Sequence, residues 1–330
     1  MRVLITGIDG FVGSHAAEYL LELGGVEIHG TVLDLRGIQN VSHLQNRIRL
    51  HELDITDAQD VSSLFLRVQP DRVIHLAGQA FVPDSLINPM NTFRANIIGG
   101  VSVLEAARMQ KEHTGTDPTL LVVSTGEVYG RVSTSEPITE DFPISPTNPY
   151  AASKASIDLI TQQYASSFGV HVLMVRPFNH VGPRQSPLFV CSDFGKQFAE
   201  IAAGKRAPSV FVGNVEAQRD FTDVRDVVRA YWMLFDQTLR ETIFNVCSGH
   251  AVRIRELLTI FEEISGLKVE VVSKEERFRS YDVSRVVGSY NRLRTAVGWQ
   301  PRIPLRQSLL DVFAFWSAAD LHHGQEAAGV

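Results

Sequence analysis

The stretch Arg2-Val3-Leu4-Ile5-Thr6, followed by Gly7-Ile8-Asp9-Gly10-Phe11-Val12-Gly13-Ser14-His15, decides the fold. Its apolar opening reads as a short strand with no polar face. Three glycines at spacing three come next, and a helical pattern over 11–23 follows them. Glycines there let the backbone turn tightly and approach a ligand closely. A helix starting at that point offers unpaired N–H groups and a positive dipole end to a pyrophosphate. A glycine triplet alone is weak evidence, but one set between a strand and a helix has the confirming context. The segment predicts a dinucleotide cradle at Gly7, Gly10, Phe11, Val12 and Gly13.

Outward from this cradle, short apolar runs alternate with amphipathic stretches. Strands are predicted over 2–6, 27–32, 48–53, 72–76, 119–124 and 170–175, and helices near 11–23, 57–68, 91–112 and 149–168. Continuous apolar strands separated by helices indicate a parallel sheet covered on both faces, an α/β doubly wound (Rossmann-like) fold. Its ligand should sit outside the carboxyl ends of the strands. After residue 175 the texture changes, with Pro177, Gly182, Pro183 and Pro187 breaking the pattern. The expected division is a dinucleotide-binding domain from 1–175 plus about 220–247, and a smaller mixed α/β lobe from about 176–219 plus 248–330.

The end of the second strand bears on the choice between NAD and NADP. A carboxylate there takes ribose hydroxyls, whereas an arginine takes a 2′-phosphate. The run Gly30-Thr31-Val32-Leu33-Asp34-Leu35-Arg36 offers both: Asp34 favours NAD and Arg36 leaves NADP open. Asp54 and Ile55, after the third strand, are placed to contact the adenine. Leu76, Ala77 and Gly78, after the fourth, pass along the cofactor with mostly small side chains.

Composition narrows the class. The chain has 330 residues, 44% hydrophobic and 21% charged, a balance typical of a soluble globular protein. A net charge of -6 argues against a nucleic-acid partner, which calls for a basic excess. No run approaches the roughly 20 apolar residues of a membrane span, and no targeting segment is visible. Cys191 and Cys247 lack metal or redox spacing, so a reduced, cytoplasmic setting is expected. No metal site is expected either, because nothing completes a ligand set around His322 and His323.

Tyr150-Ala151-Ala152-Ser153-Lys154 sets a phenol and an ammonium four residues apart, on one helix face. Pro149 suits the first turn of that helix. Acid–base work near neutrality asks for about three units of depression from a free tyrosine pKa of roughly 10. A helix N-terminus supplies little of that, so the Lys154 charge is expected to supply most of it. Val122-Val123-Ser124-Thr125-Gly126-Glu127, at the end of the fifth strand, lies where this fold supplies a hydroxyl, here Thr125, to bond the reacting oxygen.

These stretches together resemble the extended short-chain dehydrogenases that modify nucleotide sugars. Within them, the sequence is similar to GDP-mannose 4,6-dehydratases and to the GDP-4-keto-6-deoxy-mannose reductases. The G-x-x-G-x-x-G spacing belongs to that branch. So do Phe178-Asn179-His180-Val181-Gly182-Pro183, Val212-Gly213-Asn214-Val215-Glu216-Ala217, Arg219-Asp220-Phe221-Thr222-Asp223-Val224-Arg225-Asp226 and Asn245-Val246-Cys247-Ser248-Gly249. The resemblance implies an NAD(P) cofactor and a nucleotide-sugar substrate. It also implies that Asn179, Arg219 and Arg279 hold the diphosphate and its neighbouring groups. A homodimer joined through the helices at 91–112 and 149–168 is implied as well. Reduction of a 4-keto sugar, 4,6-dehydration and C4 epimerisation all fit Thr125, Glu127, Tyr150 and Lys154. Related dehydratases carry an acidic or hydroxyl residue directly before the glutamate; here that position is Gly126, so reduction is favoured. A non-catalytic NAD(P) sensor is the remaining alternative, and an intact tyrosine and lysine count against it.

Overall fold

A computed structural model describes residues 1–132, 134–235, 239, 242–277 and 283–327, the side chains of 275 and 320–327 excepted. Six strands, β1 (Arg2–Thr6), β2 (Glu27–Val32), β3 (Arg49–Glu52), β4 (Arg72–His75), β5 (Thr119–Val123) and β6 (His171–Pro177), lie in the spatial order β3-β2-β1-β4-β5-β6. Ile243–Val246 extends the sheet beside β6, and every pairing in it is parallel. The order reverses between β1 and β4, which opens a crevice at their carboxyl ends.

Alternation along the strands sends side chains to two cores. Val3, Ile5, Ile28, Ile74, Leu121 and Val175 face one of them, packed by Leu20 of helix α1 (Phe11–Leu23) and by Val227 and Tyr231 of helix Val224–Leu234. Leu4, Val73, Leu120, Val122 and Met174 face the other, against helices α2 (Ala58–Val68), Gly99–Thr114 and Pro149–Phe168. The expected doubly wound fold is present.

The segment predicted as one helix over 91–112 is composite. A short helix at Pro89–Phe93 runs through a wide π-type turn at Arg94–Ile98 into helix Gly99–Thr114. Such turns accommodate one extra residue and often mark functional sites. Two glycines begin the last piece because helix neighbours crowd them. A Cβ on Gly99 would lie 2.5 Å from Ile55, and one on Gly100 2.6 Å from Ile157.

A third core joins helices Val190–Ala202, Ile254–Ser265 and Leu305–Ala327 through Phe194, Phe198, Leu257, Phe261, Leu309 and Val312. Around it lie a parallel pair (Ser209–Val212 with Glu270–Ser273) and a three-stranded sheet (Val252–Arg253, Gln218–Arg219, Arg285–Val286). Asn179–Val181 pairs with Phe221–Asp223. Leu293 and Trp299, from late in the chain, pack into the core shared by β1 and α1.

Candidate active site

The cradle is shaped by backbone contact. Gly7 has φ +67°, in the left-handed region, and a Cβ there would lie 3.0 Å from the Ala77 Cα. A Cβ on Gly13 would stand 2.4 Å from the Gly7 carbonyl oxygen, so the helix can approach the turn only without a side chain. Gly10 donates its N–H to that same carbonyl at 3.1 Å. No side chain caps the start of α1, which leaves its first N–H groups facing outward from the turn. Phe11 and Val12 begin this helix, Phe11 lying 3.5 Å from a Cβ built on Gly182.

Beyond the cradle, Asp34 and Arg36 form one unit. The guanidinium clasps the carboxylate through Nε (3.0 and 3.1 Å) and Nη2 (2.8 Å), and the Arg36 N–H adds a fourth bond at 2.8 Å. The pairing holds Asp34 below the usual carboxylate range, chiefly through the Arg36 side-chain hydrogen bonds. The two residues read from the sequence as competing signals are thus mutually neutralised. Asp54 caps its own turn by accepting from the Thr56 N–H at 2.8 Å, and Ile55 is buried.

At the crevice floor, Thr6 ties β1 to the segment after β4. Its hydroxyl oxygen accepts from the Leu76 and Ala77 N–H groups, both at 3.1 Å, and sits 2.8 Å from His75 Nδ1. With both accepting positions occupied, the hydroxyl donates to His75, which is neutral. Burial, helped by the nearby Lys154 charge, pushes His75 down to about 3. Gly78 sits against Asn96, whose amide bonds the Gln79 N–H (2.8 Å), the Gln79 carbonyl (3.0 Å) and Ser153 Oγ (2.8 Å). The wide turn at Arg94–Ile98 thereby fastens the crevice rim to the helix bearing Tyr150.

Asn148 caps that helix, its Oδ1 accepting from the Ala151 N–H at 2.8 Å, while its amide reaches Glu127 Oε2 at 3.4 Å. Tyr150 is buried beside the Thr125 side chain, whose hydroxyl favours the ionised phenol. Thr125, Glu127 and Tyr150 are therefore brought together. One expectation fails: the phenol is not acidified. Burial pushes it up to about 12; the Thr125 hydroxyl works against this and the Glu127 charge adds to it. Lys154 instead turns its ammonium to the Val123 carbonyl at 2.8 Å, and burial pushes it down to about 8. One helical turn of spacing does not aim a flexible side chain at its neighbour.

Gly126 has a physical reason to lack a side chain. A Cβ there would meet the Phe178 ring at 3.1 Å. That ring also lies against Gly288, where a Cβ would be 2.6 Å from it, so two glycines flank one aromatic.

Two of the expected substrate residues, Asn179 and Arg219, lie on the smaller strand layers. Asn179 donates to the Asp220 carbonyl at 3.3 Å. Arg219 donates to the carbonyls of Gln218 (2.8 Å) and Val283 (2.7 Å), and its strand pairs with Arg285–Val286. Arg279 lies outside the described residues. His75, Asn96, Asn148 and Asp158 were missed by the sequence reading, and Phe178 entered it only as part of a motif, with no role. Only Asn148 left a signal, an asparagine directly before a helix-starting proline.

The doubly wound sheet, the glycine cradle and the tyrosine and lysine beyond it define an enzyme of the extended short-chain dehydrogenase class. The family model described as GDP-mannose 4,6 dehydratase matches residues 4–311, and the chain belongs to that family. GDP-6-deoxy-D-mannose reductase of Pseudomonas aeruginosa is 34% identical over 318 residues, covering 96% of this chain and 97% of the relative. GDP-mannose 4,6-dehydratase of Vibrio cholerae serotype O1 is 30% identical over 363 residues, covering 98% and 95%. The solved structure of RMD from Pseudomonas aeruginosa complexed with NADPH superposes with a TM-score of 0.84 at 34% identity, covering 96% of this chain and 99% of that one. UDP-glucose 4-epimerase of Thermotoga maritima, solved with UDP-glucose, gives a TM-score of 0.86 at 27% identity, covering 97% and 99%.

Proposed function

We propose that this protein is an NAD(P)-dependent nucleotide-sugar reductase acting on the 4-keto group of a GDP-4-keto-6-deoxy-hexose. The observation that carries the choice of reaction is Gly126, packed against the Phe178 ring. Dehydration needs a base to take the C5 proton and an acid to help expel the C6 hydroxyl. Glu127 remains, but the position before it has no side chain and no room to gain one without moving the ring.

The residues present fit a dinucleotide. Gly7, Gly10 and Gly13 shape the turn and Phe11 and Val12 offer N–H groups to the diphosphate. Asp34 and Arg36 would take the adenosine ribose and Asp54 and Ile55 the adenine, while Leu76, Ala77 and Gly78 would line the cofactor's path. When bound, the reduced nicotinamide supplies the hydride. Tyr150 then gives its proton to the sugar oxygen, with Thr125 bonded to the same centre. A phenol held near 12 is fully protonated at neutral pH, the form needed to quench an alkoxide. Lys154 would support the nicotinamide ribose through its ammonium. Asn179, Arg219 and Arg279 take the diphosphate of the sugar nucleotide, the two guanidiniums offsetting its charge. The dehydratase reading is the runner-up, favoured by Glu127 held beside Tyr150 by Asn148.

In this reading the cofactor side comprises 1–175 plus about 220–247 and the substrate side 176–219 plus 248–330. The place of Ile243–Val246 in the main sheet supports it. The protein acts as a homodimer: Ile87 (82% exposed), Met90 (72%) and Leu159 (61%) form apolar surface on neighbouring helical segments. A cytoplasmic setting agrees with two buried free cysteines.

Absorbance of NADPH or NADH, followed with freshly generated GDP-4-keto-6-deoxy-mannose, should fall. Formation of a 4-keto product from GDP-mannose and oxidised cofactor would overturn the reductase reading. Glu127→Gln should retain turnover within about tenfold, whereas removing a general base costs about 10²–10⁴.

A further inference from the structure

We propose that Asp158 is a positioning residue whose buried carboxylate, fixed by Arg176, keeps the Lys154 ammonium charged beneath the cofactor. The proposal rests on the assignment of Lys154 to the nicotinamide ribose made above.

Lys154 and Asp158 stand four residues apart on helix Pro149–Phe168, so they share a face. Asp158 is 0% exposed and Arg176, on β6, is 3% exposed. Arg176 Nε donates to Asp158 Oδ2 at 2.9 Å. Its Nη1 turns instead to the Tyr129 hydroxyl at 3.1 Å, which donates to Asn245 Oδ1 at 2.7 Å. Asn245 is anchored in turn by its amide to the Ile138 carbonyl at 3.0 Å. The guanidinium is therefore steered from its far side and does not make the two-pronged contact an arginine usually gives a carboxylate. Asp158 Oδ1 makes no well-formed hydrogen bond among the described residues, and the neighbouring Ser124 hydroxyl, buried and likewise without a partner, is the one neutral donor set beside the carboxylate. Such an oxygen is uncommon and calls for a reason. A cation one helical turn away gives one.

The groups around Lys154 come from every neighbouring element. The Val123 carbonyl of β5 accepts its proton at 2.8 Å. His75 of β4 is neutral, and Arg176 of β6 is spent on Asp158 and Tyr129. Tyr150 is protonated and feels the Glu127 charge, and Tyr231 is a buried phenol that feels Tyr150. Burial drives Lys154 toward the neutral amine and raises Asp158 toward the neutral acid; the Asp158 charge opposes the first and the Arg176 guanidinium opposes the second. Remove the Asp158 charge, and the amine is neutral at lower pH.

The test is NADPH affinity across neutral and alkaline pH, read by fluorescence on the full chain. Affinity should fall as Lys154 loses its proton near about pH 8. In Asp158→Asn that midpoint should move about one unit lower. Because the single variant buries an unpaired guanidinium, Asp158→Asn with Arg176→Gln serves beside it and should show the same downward shift. Asp158→Glu should restore the midpoint. Lower thermal stability with an unmoved midpoint in the single and double variants would overturn the proposal. Binding is read rather than turnover, so a failure of the keto-reductase assignment leaves this result intact and separately visible.

Discussion

The cradle and the catalytic floor meet at one crevice but are built from different materials. Between residues 7 and 13 the site is backbone: a left-handed Gly7, a helix drawn onto its carbonyl, and N–H groups without a side-chain cap. The floor is made of side chains from distant segments, the buried His75, Thr125, Tyr150, Asp158 and Arg176 with the half-buried Lys154. Close packing sets the cradle's shape, which leaves little to titrate. Desolvation sets the floor's chemistry, since it raises Tyr150 and lowers His75 and Lys154. A backbone site tolerates change in its neighbours and no added atom of its own. A side-chain site tolerates small changes in shape but not the loss of a charge or proton.

The sharpest way to break this contrast is Tyr150→Phe. Turnover should fall about 10²–10⁴-fold, the span of a lost proton donor, while dinucleotide affinity measured by fluorescence stays close to wild type. Loss of both together would mean that floor and cradle are not separable. Gly13→Ala should do the reverse. Its Cβ would stand 2.4 Å from a carbonyl oxygen, and an overpacking cost of about 1–3 kcal/mol should weaken dinucleotide binding, seen by calorimetry. Turnover at saturating cofactor should change less. Smaller again is Arg36→Ala, which frees Asp34 on an exposed rim. The ratio of NADPH to NADH affinity should drop about tenfold in low salt and less as salt is raised.

Buried histidines on several elements add a pH dependence of their own. His15 and His180 are held near about 4 and His75 near about 3, each lowered chiefly by burial from an ordinary 6.5. Between those values and 6.5 the unfolded chain takes protons that the folded one refuses. The stability from keeping these rings neutral is thus complete above 6.5 and lost as pH falls toward 4. Thermal melts should show a falling midpoint through that window. His75→Gln should blunt the slope by up to one proton's worth, about 1.4 kcal/mol per pH unit.

Much of the architecture was legible because it depends on local chain chemistry. The strands at 2–6 and 27–32 and the helices at 11–23 and 149–168 match the observed bounds, since apolar runs and glycine or proline punctuation mark them directly. The predicted helix at 91–112 missed its wide turn, because Asn96 draws the backbone out of register to bond Gln79 and Ser153, and that demand is tertiary. Thr125, Glu127 and Tyr150 were found as a group and do meet. The expected acidifying of Tyr150 by Lys154 failed, because side-chain direction was inferred from spacing alone.

The sequence by itself determined the doubly wound fold, the glycine cradle and the order of the reactive residues along the strand ends. Those follow from backbone sterics and from the spacing of apolar side chains, both local properties. Only the tertiary structure decided which protons are held and where. It did so by burying Tyr150 beside Thr125, setting Phe178 against Gly126, and pairing Asp158 with Arg176 one helical turn from Lys154. A proton's affinity depends on the dielectric and the charges around it, and residues far apart in the chain create both.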